Sequence, residues 1–522
     1  MKKLASLALL AVIGCGTNYK AADKKVTKNL DPVPYGETIT EAELKTHLYT
    51  YASDEFEGRN TGDPGQKKAV AYLRDEYKSL NIAAAKKDGD YFQYIPLQKG
   101  SNLKSELTIN GKDFTFQDEF LTFAANNNGT KNIFEIEYIG YGIDDEKYSD
   151  YAGKNLEGKV VMIKIGEPKN ADGTYVISGT EEASNWSSSI FREIRVKRNA
   201  AKKNKAKGMF FYVESNYPRF KAAYPSMTKN ARMTLKTNDA DDFFYYYINA
   251  DVAKAINPTI EDDATAKTIA VNAKLTIADE IKQIDSENVA AIIVGDEKPE
   301  EYIIISAHLD HEGVKNGEIY NGADDDGSGT VAILEIAEAF KKAKAEGNGP
   351  RRSVVFLHVT GEEKGLLGSR YYTDYDPIFP LENTVTNLNI DMIGRIDPKR
   401  KEGDRNYVYL IGSDKLSTEL HEISEAANKK YTNIELDYTF NDENDPNRYY
   451  YRSDHYNFAK NNIPVIFYFN GTHDDYHRPT DTPDKINYDL LTNRTRLVFY
   501  TAWELANREN KVVVDKGEET SK

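Results

Sequence analysis

The sequence predicts an α/β protein: a mostly parallel central sheet flanked by helices, with a β-rich domain inserted ahead of the main run of alternating elements. Three observations lead there. Strand-like stretches rich in apolar residues at 302–307, 353–359, 385–393 and 465–469, the second of them continuous, have the length of strands buried on both faces. Stretches with helical spacing at 327–344, 416–430 and 489–507 separate them, and such alternation implies a sheet covered on both sides. Between residues 131 and 266 the texture changes to short strands around Gly- and Asn-rich turns.

The chain has 522 residues, more than one core usually takes, so several domains are expected. Its net charge of -15 argues against nucleic acid as a partner, because phosphate binding needs a basic face. The 36 tyrosines are read as general composition. One cysteine, Cys15, excludes an intramolecular disulfide. Its setting accounts for it: a basic Met1-Lys2-Lys3, an apolar run to Ile13 too short to span a bilayer, then Val12-Ile13-Gly14-Cys15. This resembles a bacterial lipoprotein signal, with residues 1–14 removed and lipid carried on Cys15. It implies a cell-envelope protein, periplasmic or on the outer membrane or surface, anchored through that lipid. The polar, Lys-rich stretch to residue 33 reads as a tether.

Taken in order, residues 37–53 have helical spacing with Thr40 as a candidate N-cap. A loop, Glu55-Phe56-Glu57-Gly58-Arg59-Asn60-Thr61-Gly62, leads to an amphipathic helix at 66–80. Strands follow at 91–97 and 107–116, the latter containing the hairpin signal Asn110-Gly111. Residues 34–130 are read as the N-terminal part of the main domain, 131–266 as the insert and 267–515 as the main domain proper. Within the insert lie a strand at 134–141, a Lys-rich helix at 191–207 with a solvated face, and a strand at 208–213. Its GYG, LEGKVVMI and KNKAKGMFFY segments resemble the protease-associated domain, while residues 214–263 match that pattern poorly.

The chemistry-bearing residues gather after the apolar strands. Of the eight histidines, seven lie from His308 onward. His308 and Asp310 end the first strand, and Asp324-Asp325-Asp326 form a Gly-rich turn before a helix. Glu362-Glu363 follow the second strand, Asp391 the third, and Tyr476-His477 the fourth. In an α/β sheet these are the positions where a reactive edge forms. Imidazoles mixed with carboxylates suit a hydrolytic metal site, which also needs a free acid to accept a proton from water. Adjacent glutamates are apt for that division, one ligating and one facing water.

His308-Leu309-Asp310, Gly322-Ala323-Asp324-Asp325-Asp326-Gly327-Ser328-Gly329, Gly361-Glu362-Glu363-Lys364-Gly365, Asn389-Ile390-Asp391-Met392 and Tyr476-His477 together resemble the motif series of the M28 family of zinc peptidases, over residues 285–510. The resemblance implies a three-layer zinc-peptidase fold and two zinc ions per chain. His308 and Asp391 would hold one, Glu363 and His477 the other, and Asp325 would bridge them. Glu362 would be general base and then acid, Asp310 would orient His308, and Tyr476 would stabilise the oxyanion, with Tyr450 as the alternative. Arg452-Ser453-Asp454-His455 matches the family's SDH motif and is expected to support the pocket rim. Asp324 and Asp326 are read as turn-forming or helix-capping carboxylates, and His311, His358, His421 and His473 as surface or packing residues.

The activity so implied is peptide-bond hydrolysis by an exopeptidase, with aminopeptidase the leading assignment. A carboxypeptidase or dipeptidase remains open, since Arg59, Arg395, Arg452 or Arg478 would suit a substrate carboxylate. A glutaminyl cyclase-like acyltransferase with one zinc and a non-catalytic binding protein on the same scaffold also remain open.

Overall fold

A computed structural model describes residues 31–100, 102–123, 128–229, 233–237, 243–261 and 265–516. The signal segment, Cys15 and most of the tether lie outside them. No helix among the described residues is long and apolar enough to cross a membrane.

The central sheet is mixed, with parallel pairing at its heart. Its main strands are β1 (Phe92–Gly100), β2 (Ile281–Ile293), β3 (Lys298–His308), β4 (Arg352–Val359), β5 (Thr384–Ile390), β6 (Tyr407–Ile411) and β7 (Val465–Phe469). Across the sheet they run β6, β7, β5, β3, β4, β2, β1, with short edge strands at Glu435–Asp437 beside β6 and Met233–Leu235 beside β1. The pairs β7–β5, β5–β3 and β3–β4 are parallel. The flanking pairs β4–β2, β2–β1 and β6–β7 are antiparallel. The apolar stretches read from the sequence lie in these four parallel strands. Every residue of β4, β5 and β7 is buried, as expected of strands covered on both faces.

One face is covered by α1 (Glu41–Tyr51), α2 (Pro64–Ser79), α3 (Gly329–Ala345) and α4 (Tyr488–Asn507), whose apolar sides form one core with the sheet. Thr40 caps α1 as expected, its hydroxyl accepting from the Glu43 N–H at 3.3 Å. The opposite face packs Tyr372, Phe379 and Phe458 from shorter segments against β3 and β4. Because β3, β4, β5 and β7 are parallel, His308, Thr360, Asp391 and Asn470 emerge at one sheet edge.

The β-rich domain is a separate sheet of eight strands with its own cores on two faces. It extends beyond the predicted 131–266. Strands Lys104–Ile109, Lys112–Phe114 and Phe120–Thr122 belong to it on one side and Lys267–Ala278 on the other. Lys267–Ala278 pairs with both Lys104–Ile109 and Gly129–Tyr138, so segments on both sides of the expected boundaries are hydrogen-bonded into this sheet. Asn110-Gly111 make the predicted hairpin turn, both with positive φ. The Lys-rich helix, Ile190–Lys203, is not wholly solvated: Lys197 is fully buried and pairs with Glu193 at 2.6 Å.

One buried group outside the site sets a pH dependence. Glu335, on α3, has His47 Nε2 at 3.5 Å, and burial pushes its carboxyl up to about 8. Between the unfolded value of about 4.3 and that value, the native state keeps a proton that the unfolded chain has lost, so stability falls as pH rises through this window. Glu335→Gln is expected to match wild type near pH 4 and to exceed it by on the order of a few kcal/mol near pH 9, measured by denaturant unfolding.

Candidate metal centre

His308 is the last residue of β3 and is fully enclosed. Its Nε2 lies 3.1 Å from Asp325 Oδ1 and 3.8 Å from Asp391 Oδ1. The other oxygen of Asp325, Oδ2, lies 3.0 Å from His477 Nε2, which is also 3.3 Å from Glu363 Oε2. One carboxylate thus faces two imidazoles, and the five residues predicted as ligands come together from five separate segments. His308, Asp325 and Asp391 form one potential ion-holding group, and Glu363 joins two others.

The donors fit a cation. His308 Nε2, Asp325 Oδ2 and Glu363 Oε1 are sequestered from solvent yet have no hydrogen-bond partner of acceptable geometry. Groups left in that condition cost free energy unless something charged completes them. Mixed imidazole and carboxylate donors suit zinc and related divalent ions. Burial and the Asp325 charge push the Glu363 carboxyl up, but contacts with His311 and His477 outweigh them and hold it at about 2. Burial drives the Glu362 carboxyl the other way, well above the usual range, helped by Asp391 and Glu363.

Backbone donors fix the surrounding aspartates. Asp326 accepts from the N–H groups of His308, Gly329 and Met392 at 3.2, 3.0 and 3.1 Å. Asp324 accepts from Gly394 N–H at 2.6 Å. Both are structural, as their place in the turn implied. Asp481 accepts from the N–H groups of Asp324 and Asp325 and so holds the turn from the far side. Ser453 donates to Asp391 Oδ2 at 2.7 Å and is itself held by Asn389, which gives the SDH motif its supporting role.

Asp310 acts differently from expectation. His308 Nδ1 meets the Asp310 backbone carbonyl at 2.9 Å, whereas the nearer carboxylate oxygen is 4.0 Å away. The carboxylate accepts instead from the Thr61 hydroxyl at 2.6 Å and from Glu362 N–H at 3.1 Å. Asp310 therefore fixes the His308 ring through its main chain and the Glu362 backbone through its side chain. Thr61 comes from the early EFEGRNTG loop, as does Arg59. Arg59 is fully buried and donates to the carbonyls of Tyr51, Asn321 and Gly322, so it braces the turn before Asp325 and cannot meet substrate.

Tyr476 stacks on His477 with centroids 3.9 Å apart and lines a cavity with Asp325, Glu362 and Asp391. Burial and the surrounding carboxylates push its phenol far up, so it keeps its proton and remains a donor. The rest of the lining includes Met392, Tyr449, Arg452, Phe467 and Phe469. Tyr449, not Tyr450, faces this cavity. Tyr450 packs among Tyr451, His455 and Tyr456 instead. Of Arg59, Arg395, Arg452 and Arg478, Arg452 alone lines the cavity, and Arg395 is paired with Asp475 at 3.0 Å.

Two histidines read as surface or packing residues prove otherwise. His473 is buried with Nε2 3.2 Å from Asp324 Oδ2. His311 is buried beside Glu363 and Asp325. The available signal was the His-Leu-Asp-His spacing itself, which puts a second imidazole one short turn beyond the first. His358 does pack, with Nε2 2.7 Å from the Tyr77 hydroxyl, and His455 stacks on Phe467.

A clustered imidazole and carboxylate centre at the carboxyl edge of a helix-covered sheet has the donor chemistry of a hydrolytic metal site. Residues 288–502 match the family model described as Peptidase family M28. The chain is 27% identical over 230 residues to aminopeptidase YwaD of Bacillus subtilis, covering 42% of this chain and 45% of that protein. It is 32% identical over 228 residues to a probable leucine aminopeptidase of Trichophyton verrucosum, covering 42% and 57%. A third relative, a probable glutamate carboxypeptidase of Arabidopsis thaliana, is 33% identical over 105 residues, 20% of this chain and 14% of its own. The chain thus spans less than half the length of the Arabidopsis and Bacillus relatives. Among solved structures, an aminopeptidase from Aneurinibacillus sp. strain AM-1 aligns over 93% of this chain and 98% of its own at 21% identity, with a TM-score of 0.47.

Proposed function

We propose that this protein is a zinc-dependent exopeptidase that holds two metal ions and removes amino-terminal residues from peptides. The observation that carries the reading is the division between adjacent glutamates. Glu363 is committed to the imidazole cluster, while Glu362 lines the cavity with its backbone held by Asp310.

His308, Asp391 and Asp325 would hold one ion, and Asp325, Glu363 and His477 the other. When bound, the ions would polarise the scissile carbonyl and acidify the attacking water. The Glu362 carboxylate takes the proton from that water and later delivers it to the leaving amine nitrogen. The Tyr476 hydroxyl donates to the carbonyl oxygen as negative charge develops there. Asp310 and Thr61 keep the Glu362 backbone from drifting, and Ser453 fixes the Asp391 carboxylate.

An aminopeptidase suits the acid-rich cavity floor, where a protonated α-amine would be attracted, and the apolar wall of Met392, Tyr449, Phe467 and Phe469 suits an apolar first side chain. The aminopeptidase names of the bacterial and fungal relatives support the same choice. Arg452 at the cavity favours a second reading, a carboxypeptidase or dipeptidase that binds a substrate carboxylate. Glu362→Gln is expected to lower turnover of aminoacyl anilides by about 10²–10⁴-fold with zinc content unchanged, and N-acetylation should abolish cleavage by wild type. Activity near wild type in the variant would remove Glu362 from the mechanism, and cleavage of blocked peptides would select the second reading.

The Val12-Ile13-Gly14-Cys15 segment further supports a lipid anchor that holds the enzyme at a cell-envelope membrane. Wild type expressed in a bacterial host should enter the detergent phase on partition and Cys15→Ser the aqueous phase; wild type found in the aqueous phase would contradict the anchor.

A further inference from the structure

His311 is aimed where a ligand would be. Its ring is fully enclosed, and the backbone is pinned by a bridge to Asn60 and by its N–H donating to the Arg59 carbonyl at 3.3 Å. The ring rests on Gly322: a Cβ there would come within 2.5 Å of it. Gly322 also has φ +55°, so both its conformation and the bare face it offers to the ring favour glycine.

Nδ1 of His311 lies 2.9 Å from Glu363 Oε1 and 3.7 Å from Asp325 Oδ2. At the shorter distance a hydrogen bond would be expected, yet neither ring nitrogen nor Glu363 Oε1 has a hydrogen-bond partner of acceptable geometry. The oxygen lies close to the nitrogen but off its axis. His308 Nε2 shows the same signature, 3.1 Å from Asp325 Oδ1 and likewise unpartnered. Two donors to one ion behave this way, because each points at the ion and not at the other. Donors at about 2.0–2.2 Å from a tetrahedral zinc lie about 3.3–3.6 Å apart. The distances of His311 to its two carboxylates fall on either side of that spacing.

We infer that His311 is a direct ligand of the metal held by Asp325, Glu363 and His477. This rests on the metallopeptidase reading and adds a donor to it. That half then has four protein ligands, the number that closes a zinc site, while the His308, Asp391 and Asp325 half keeps three and an open position. Of the ligands that belong to one half alone, Asp391 lines the cavity, and His308, Glu363, His477 and His311 do not. The His477 half holds its ion tightly, and the His308 half receives water and substrate.

X-ray absorption at the zinc edge of the loaded full-length protein counts imidazoles without any variant. Three imidazoles shared between two zinc ions in wild type, falling to two in His311→Ala, is the expected result. His311→Ala should also lose one of its ions to a competing chelator more readily than the roughly 10–100-fold typical of removing an outer hydrogen-bond partner, and the other ion should be retained as in wild type. Two imidazoles in a wild type that carries two zinc ions would overturn the inference and leave the metallopeptidase reading standing. A wild type that takes up no zinc would overturn both.

Discussion

The Asp325 carboxylate, enclosed between the imidazoles of His308 and His477, is the constraint on which the rest of the site depends. Glu363, Asp391, Asp310, Asp324 and Asp326 crowd the same volume, and gathering so many carboxylates away from water is unfavourable unless opposite charge or fixed dipoles answer them. The chain answers each in kind. Backbone N–H groups serve Asp324 and Asp326, the Thr61 hydroxyl and Glu362 N–H serve Asp310, and Ser453 serves Asp391. His308, His311, Asp325 and Glu363 keep buried atoms without satisfied hydrogen bonds, as do Asp324 and His473 beside them. Cations are the natural complement to that remainder.

The architecture makes such crowding possible. Four parallel strands deliver their carboxyl ends to one edge, so residues more than 150 positions apart in the chain meet without a long loop. The turn that carries Asp325 is then clamped from both sides. Arg59 donates to the carbonyls at its start, and Asp481 accepts from the N–H groups of Asp324 and Asp325. Folding the early EFEGRNTG loop against this turn makes a segment far from the metal motifs part of the same unit. The same loop supplies Thr61 to Asp310 and, through Asp310, steadies the backbone of Glu362.

Much of this was legible in the sequence, for definite reasons. The four central strands were readable because strands buried on both faces are rich in apolar residues, and His308, Glu363, Asp391 and His477 stood out because each follows such a strand. The antiparallel flanks were harder to read: β1 alternates like the strands of the second sheet and the first half of β2 is polar, so the junction between the two sheets could not be placed from texture. His311 escaped because the His-Leu-Asp-His spacing places two imidazoles near each other in the chain without showing that the second is buried; the cradle at Gly322 and the approach of Glu363 show that. The Asp310 role escaped because a backbone carbonyl, which every residue has, makes the contact that the side chain was expected to make.

Completion of this buried cluster by metal is tested most directly by zinc titration of the metal-stripped protein followed by thermal unfolding. The melting temperature should rise steeply with added zinc and level off near about two equivalents, since an ion bound only by the native state stabilises it by mass action. A melting temperature indifferent to zinc would contradict the metal centre at its root.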